Sequence, residues 1–451
     1  MFNVFRKLHR NKMENLEEFT GERMSLAHGQ YIKALVKRAG EIDKDRKIFG
    51  VSKHQYELNP VLSIDKIHKF ESEYNIKLPE EYVFFLTIVG NGGAGPYYGL
   101  YMLENTVKYN EYKDFISTSA FINNELTKET WKSTMDKLEE ANDAEYDEIM
   151  RQVYGGLMII GTQGCTYDNL LMVNGSEKGK IVYIDWNLEP ENGPYLTQMT
   201  FLEWYENYFK EIIYGNSVKS YGYIKLGKEE ELINEYENAQ MENKRDILIS
   251  FFRFSKLKSD TVEFLKYRDE KFLDHLRVEL LFKHNKKAGM EMFDSLVKGE
   301  NLEGAVLCAR RMPDELKDNY YMEMVKLLYN KELKEKERII FFLTDCKSIS
   351  GKDLISFATD ETIEEEERRT AIWAISKAND KMDYIEQFIS WMHCDSYWIA
   401  HAALQGMAKE KNEKLLEAYK WMWEKYKNDS TMRSNLEIAF KNNWIDIKKK
   451  I

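Results

Sequence analysis

The chain has 451 residues and a formal charge of −11, with 43 % hydrophobic and 31 % charged residues. That balance suits two to four packed domains at roughly 100 to 200 residues each and excludes a mainly disordered or fibrous chain. No apolar run approaches the roughly 20 residues of a membrane helix, and the opening MFNVFRKLHRNKMENLEEF lacks a signal-peptide core, so a cytoplasmic protein without a membrane partner is expected.

Residues 1–53 carry a basic surplus, 12 Lys/Arg against 7 Asp/Glu, within an otherwise acidic chain. A basic arm and a solvated helix face both account for it, and we take this segment as an N-terminal helical extension. Next, Ser63 stands where it can cap a helix whose Ile64, Ile67, Phe70 and Tyr74 follow helical spacing. Leu78-Pro79-Glu80-Glu81-Tyr82 opens a second helix, with proline and carboxylates at its positive end, and Gly90 can stop it.

Beyond Gly90 the short segments Tyr97 to Leu103, Leu157 to Gly161, Asp168 to Val173 and Lys180 to Trp186 read as strands, the last three forming an antiparallel meander. Thr200-Phe201-Leu202-Glu203 is a capping box that starts a helix bearing Phe201, Trp204, Tyr205 and Phe209. Between the first two strands lies an insertion, about 104–153, with Trp131, Met135 and Leu138 at helical spacing. Its end is acidic: Glu139, Glu140, Asp143, Glu145, Asp147 and Glu148 occur without an intervening basic residue. The run is either a solvated face or a docking patch for a basic partner.

Twelve of 24 glycines fall between Gly90 and Gly193, and five of six prolines between Pro60 and Pro194. Since both residues are costly inside helices, an α+β half gives way near Gly215 to Gly227 to an almost wholly helical one. In that second half, apolar texture repeats from Ala305, Arg338, Ala371 and Ala402, in steps of 33, 33 and 31 residues. The period fits stacked helix pairs of HEAT-like kind; an irregular helical bundle is the alternative.

Three constellations are weighed for chemistry. Gly90 to Gly95 spells GxGxxG, but a helix precedes it and a strand entrance follows, the wrong context for a dinucleotide loop. His393, Cys394 and His401 share one helical stretch without a recurrent ligand spacing. Asp168 and Asp185, on neighbouring strands, could pair as acid and base, although strand-end aspartates more often close turns. The four cysteines show no CxxC pair, so buried thiols are expected rather than disulfides or zinc. No catalytic residue, cofactor or metal is assigned.

The run Leu62 to Leu100 does carry a signature. Phe70 and Glu71 end an amphipathic helix, Leu78, Pro79 and Tyr82 follow, and Asn91, Gly92 and Gly93 form a turn; downstream, Gly161 and Asp185 sit in a strand meander. This pattern, over about residues 50–214, resembles the SUKH superfamily, specifically its Smi/Knr-like cell-wall assembly regulator branch. His54 and Tyr56 are similar to an element upstream of many bacterial members.

The resemblance implies an α+β domain at 54–216, an antiparallel sheet of about four or more strands with packed helices, followed by the all-α HEAT-like repeat domain at 217–451. It further implies a non-enzymatic binding module. Bacterial members are often immunity proteins that bind and block a toxin, frequently a nuclease or deaminase; others are cytoplasmic scaffolds or regulators of cell-wall or signalling pathways, a role that here would recruit partners through the helical repeats. An acidic inhibitor complements a basic nuclease, so the expected partner is a basic toxin domain and not nucleic acid.

Overall fold

A computed structural model describes residues 18–108 and 112–442; part of the basic N-terminal extension therefore lies outside the described residues. The chain divides into two compact units, 1–255 and 256–451. The division falls beyond the sequence-expected boundary at 216/217. Residues after 217 are held to the first unit by polar ties: Arg253 meets Glu211 at 2.5 Å, both side chains buried, and Tyr97 Oη donates to Tyr221 O at 2.6 Å.

In the first unit, α1 (Leu26–Ile42) precedes the two motif helices, α2 (Ile64–Tyr74) and α3 (Glu80–Phe84). Ser63 does stand at the N-cap of α2, but its side chain makes no capping bond. After α3 the backbone widens into a π-turn, Phe85–Val89, and ends at Gly90 as expected. The insertion folds as a hairpin of α4 (Lys128–Glu140) and α5 (Asp143–Tyr154).

Four antiparallel strands follow in the order β1-β2-β3-β4: β1 (Leu157–Gly164), β2 (Tyr167–Met172), β3 (Lys180–Asp185) and β4 (Tyr195–Thr200). The count matches expectation; the membership does not. Tyr97 to Leu103 lies beside β1, with Tyr101 N–H donating to Ile160 O at 2.8 Å, yet it forms only isolated bridges, at Gly93–Leu100 and Leu100–Gly161. Tyr97 at φ 57° and Gly99 at φ 89° turn the chain out of the extended form, so the segment covers the edge of β1 without becoming a strand. The missed strand is β4, which closes the sheet and whose last residue, Thr200, caps α6 (Phe201–Ile213) through the expected box with Glu203.

Alternation along the strands decides the layers. Met158, Ile160, Leu171, Val173, Ile181 and Tyr183 join one core with α1, α2, α3 and α6. Their neighbours Leu157, Ile159, Leu170, Met172, Val182 and Ile184 join another, with Trp131, Met135, Met150 and Val153 of the hairpin. Both sheet faces are thus covered, which is why these strands read as continuous apolar runs. The first unit closes with α7 (Glu229–Asn238) and α8 (Met241–Ser250).

The second unit is helical throughout its described residues: α9 (Ser259–Lys266), α10 (Asp274–His284), α11 (Lys286–Ser295), α12 (Leu302–Ala309), α13 (Tyr321–Leu328), α14 (Lys336–Asp345), α15 (Ile355–Thr359), α16 (Glu365–Ile375), α17 (Ile385–His393), α18 (Tyr397–Met407), α19 (Glu413–Lys425) and α20 (Ser430–Asn442), joined by short helical turns. The helices with the repeating texture pack in series, α12 on α14, α14 on α16, α16 on α18 and α18 on α20, each beside its own partner helix from α13 onward. One core runs from Val278 to Phe440.

Polar bonds tie neighbouring layers at nearly the same sequence step. Asp380 accepts from Ser350 Oγ at 2.6 Å and from Gly351 N–H at 2.7 Å; Tyr321 Oη donates to Asp353 at 2.9 Å; Thr370 Oγ1 donates to Glu337 at 2.9 Å.

Candidate protein-docking surface

The signature residues build the frame. Glu71, 6 % exposed, accepts from Leu78 N–H at 2.9 Å and from Lys77 Nζ at 2.7 Å. Burial opposes its charge, but the ammonium and the amide outweigh burial and hold the carboxyl below the usual range. The α2–α3 connection is thereby fixed by one carboxylate. Leu78, Phe70 and Tyr82 are buried, with Tyr82 edge-on to Phe201 of α6, and Pro79 provides the N-cap of α3. From the first turn of α3, Glu81 accepts the Leu202 N–H at 2.9 Å, bonding α3 to the start of α6.

Asn91 is spent on the same frame. Its Oδ1 accepts from Leu103 N–H at 2.8 Å and its Nδ2 donates to Glu104 at 3.2 Å. Gly92 and Gly93 take φ 76° and 98°, and a Cβ on Gly93 would lie 2.4 Å from Glu57 O. Close backbone approach, not phosphate binding, is what this glycine run serves. Gly161 is the same case in a strand: a Cβ there would meet Gly99 O at 2.5 Å, beside a bulge in β1. His54 is buried and accepts the Tyr56 N–H at 3.1 Å; desolvation pushes its imidazole down to about 4.

Asp168 and Asp185 do not form a pair. Asp168 stands opposite Ile184 and Asp185 opposite Tyr167, so successive-residue alternation sends their side chains to opposite faces of the sheet. Asp168 accepts the Trp186 indole N–H at 2.8 Å, with burial raising its carboxyl above the ordinary value. Asp185 accepts from Thr166 Oγ1 at 2.6 Å and from Asn187 N–H at 3.1 Å; burial works to raise it, and these donors bring it below the ordinary value. It closes a turn, as strand-end aspartates commonly do.

The histidine–cysteine set also separates. The chain leaves α17 at Cys394, with ψ 167°, and Ser396 caps α18 afresh, so the three residues are not on one helix. His393 Nδ1 bonds Ile389 O, and His401 Nε2 meets Asn435 Nδ2 at 3.2 Å. Among the described residues no group of three or more metal-capable side chains gathers, and no helix is long and apolar enough to cross a membrane.

The α4–α5 hairpin offers the acidic surface. Trp131 anchors it, 2 % exposed, with the indole N–H donating to Glu189 O at 3.2 Å. On its outer side Glu139, Glu140, Asp143, Glu145, Asp147 and Glu148 are all exposed. They are not equivalent. Glu145 completes a capping box with Asn142, Asp147 accepts from Tyr112 Oη at 3.1 Å, and Glu148 lies 3.6 Å from Arg151. Glu139, Glu140 and Asp143 cluster at the hairpin bend.

On the opposite sheet face lies a surface that the sequence reading missed. Tyr167, Tyr195 and Tyr223 are 41, 40 and 36 % exposed. Tyr195 and Tyr223 rings are 5.1 Å apart, and Tyr223 rests on buried Tyr183 at 4.8 Å. Partly exposed, well-supported tyrosines are the side chains that dominate protein interfaces. Tyr195 directly after Pro194, in the unrecognised β4, is the only local cue.

Comparison with known proteins bears out the resemblance. Residues 62–213 match the model of the SMI1 / KNR4 family (SUKH-1). Domains of this kind bind protein partners, in toxin-immunity or Smi1/Knr4-like roles. No curated protein matches the chain. Among solved structures, a designed armadillo repeat protein in complex with the peptide (KR)4 aligns at 14 % identity and a TM-score of 0.30, over 48 % of this chain and 100 % of its own.

Proposed function

We propose that the chain is a cytoplasmic, non-enzymatic immunity protein that neutralises a basic toxin domain, of nuclease or deaminase class, by direct binding. The observation that carries this is the combination of a SUKH-1 match with six exposed carboxylates on a hairpin anchored to the sheet. The signature side chains are consumed in holding the frame, which leaves the outer surfaces of residues 54–216 to meet a partner. A negative field of this kind speeds encounter with a cationic domain and loses strength with salt. The helical residues 217–451 add partner surface.

The test is protection and capture. Cells expressing the toxin encoded beside this gene are expected to survive when the full chain is co-expressed, and the two proteins are expected to co-purify. Absence of any neighbouring toxin, together with no protection against nuclease or deaminase toxins, would overturn the proposal.

A further inference from the structure

The first unit holds a cavity of about 360 Å³ between the loop that follows α1 and the segment that follows α6. Its size falls within the roughly 300–1,000 Å³ of small-molecule pockets. Ile48, Phe49, Tyr97 and Val218 give it apolar walls. Both rims are fixed by the protein itself. Gly50, at φ 84°, lets the first loop press on Tyr97, since a Cβ there would lie 2.2 Å from Tyr97 O, and Phe49 stands edge-on to Tyr98 at 5.1 Å. On the other rim, Ser217 N–H donates to Arg253 O at 2.7 Å and Asn216 Nδ2 to Glu211 at 3.0 Å.

Tyr208 of α6 lines this cavity at 1 % exposure, and its hydroxyl has no hydrogen-bond partner among the described residues. Its buried neighbours differ: Tyr97 donates to Tyr221 O at 2.6 Å, Tyr205 to Ala94 O at 2.7 Å and Tyr221 to Trp204 O at 2.5 Å. Burial raises the Tyr208 phenol above its ordinary value, so at neutral pH it keeps its proton; the Tyr97 backbone draws on its oxygen, short of hydrogen-bond geometry. A buried donor without an acceptor costs free energy that a ligand presenting one recovers.

The charges at the mouth do not cancel. Among the described residues, Lys47 and Lys219 line the cavity and no carboxylate does. Asp45 lies 2.9 Å from Lys47 and balances it. Asp43, behind that loop, accepts from Tyr56 Oη at 3.0 Å and from Lys47 N–H at 2.9 Å, and Arg46 is bonded to its carbonyl at 2.8 Å. Glu211 is paired with Arg253. Lys219, exposed at the rim, makes no ion pair among the described residues.

We infer that this cavity binds a small apolar molecule bearing a carboxylate, its body between Ile48, Phe49 and Val218 and its head accepting from the Tyr208 hydroxyl and the Lys219 ammonium. A carboxylate is the acceptor that answers both donors, through charge-assisted bonds. A neutral acceptor leaves the ammonium uncompensated, and a cationic head faces like charge. Neither the acidic hairpin nor a toxin enters the argument, so the inference stands apart from the function proposed above.

Calorimetric titration of the full-length protein tests it, with benzoate, phenylacetate and indole-3-acetate as probes and benzylamine and benzyl alcohol as controls. At least one carboxylate is expected to bind, at least about tenfold more tightly than either control, and to lose at least about tenfold in affinity for Lys219→Glu. Lys219 is exposed, so an unchanged unfolding temperature is the folding control for that variant. Tyr208→Phe gives the sharper reading. Removing an unpartnered donor should leave the unfolding temperature of the free protein unchanged or higher, while carboxylate affinity falls several-fold. No binding of any of the three carboxylates at millimolar concentration, equal binding of the controls, or undiminished binding by both variants would each overturn the inference. So would a lower unfolding temperature of Tyr208→Phe with unchanged affinity, which would assign the hydroxyl to an ordered water only.

Discussion

The glycine-rich loop of the first unit and the stacked helices of the second hold their shapes by different means. Around Gly93 and Gly161 the backbone approaches other backbone so closely that no Cβ fits. Between helical layers the ties are side-chain bonds such as Ser350 to Asp380, repeated from layer to layer. One region is all-or-none in its tolerance; the other distributes its stability over nearest-neighbour terms. That contrast explains why a short motif identifies the first unit while only a loose period marks the second.

A pair of glycines would break the comparison most directly. Gly93→Ala combines left-handed strain with a clash against Glu57 O and should cost at least about 3 kcal/mol. Gly299 also has positive φ, 112°, but a Cβ there meets nothing within 4 Å. Gly299→Ala should cost only about 1 kcal/mol. Urea unfolding of both variants checks this, and equal losses would remove the distinction.

Acid titration sharpens it next. His54 is buried neutral with its folded value depressed to about 4, below an unfolded value near 6.5. Its contribution is therefore full above pH 6.5 and is lost as pH falls from there to about 4, by up to about 3 kcal/mol. His54→Gln should remove that part of the pH dependence when stability is compared at neutral pH and near pH 4. Glu71→Gln removes the ion pair and weakens the bond to Leu78 N–H; the expected loss is about 1–3 kcal/mol. For the layer ties, Ser350→Ala should cost only about 1 kcal/mol, read by the same unfolding curves.

How much of this was legible follows the same division. The two motif helices, the Thr200–Glu203 box and the β1–β3 meander were readable, because local capping and alternation carry them. The period of the second half was readable as apolar texture. β4 was not, because YLTQMT is half exposed and weakly apolar on the sheet edge. Tyr97 to Leu103 has strand composition, and the positive φ of Gly99 and of Tyr97, the latter unusual for such a residue, breaks it. The insertion was visible as an amphipathic helix, but its place as a full layer over the sheet depends on long-range packing of Trp131 and Met150. The separation of Asp168 from Asp185 rests on register, which one residue of slip would reverse. The tyrosine surface likewise arises from residues distant in sequence.

The central claim is that the acidic hairpin steers a basic partner onto the first unit. The most direct measurement is the association rate of the captured partner with wild-type protein and with a variant carrying Glu139→Gln, Glu140→Gln, Asp143→Asn, Glu145→Gln, Asp147→Asn and Glu148→Gln, at low and at physiological ionic strength. The account predicts association at least about tenfold slower for the variant at low salt, with the salt dependence largely gone. An unchanged rate with the wild-type salt dependence would contradict it.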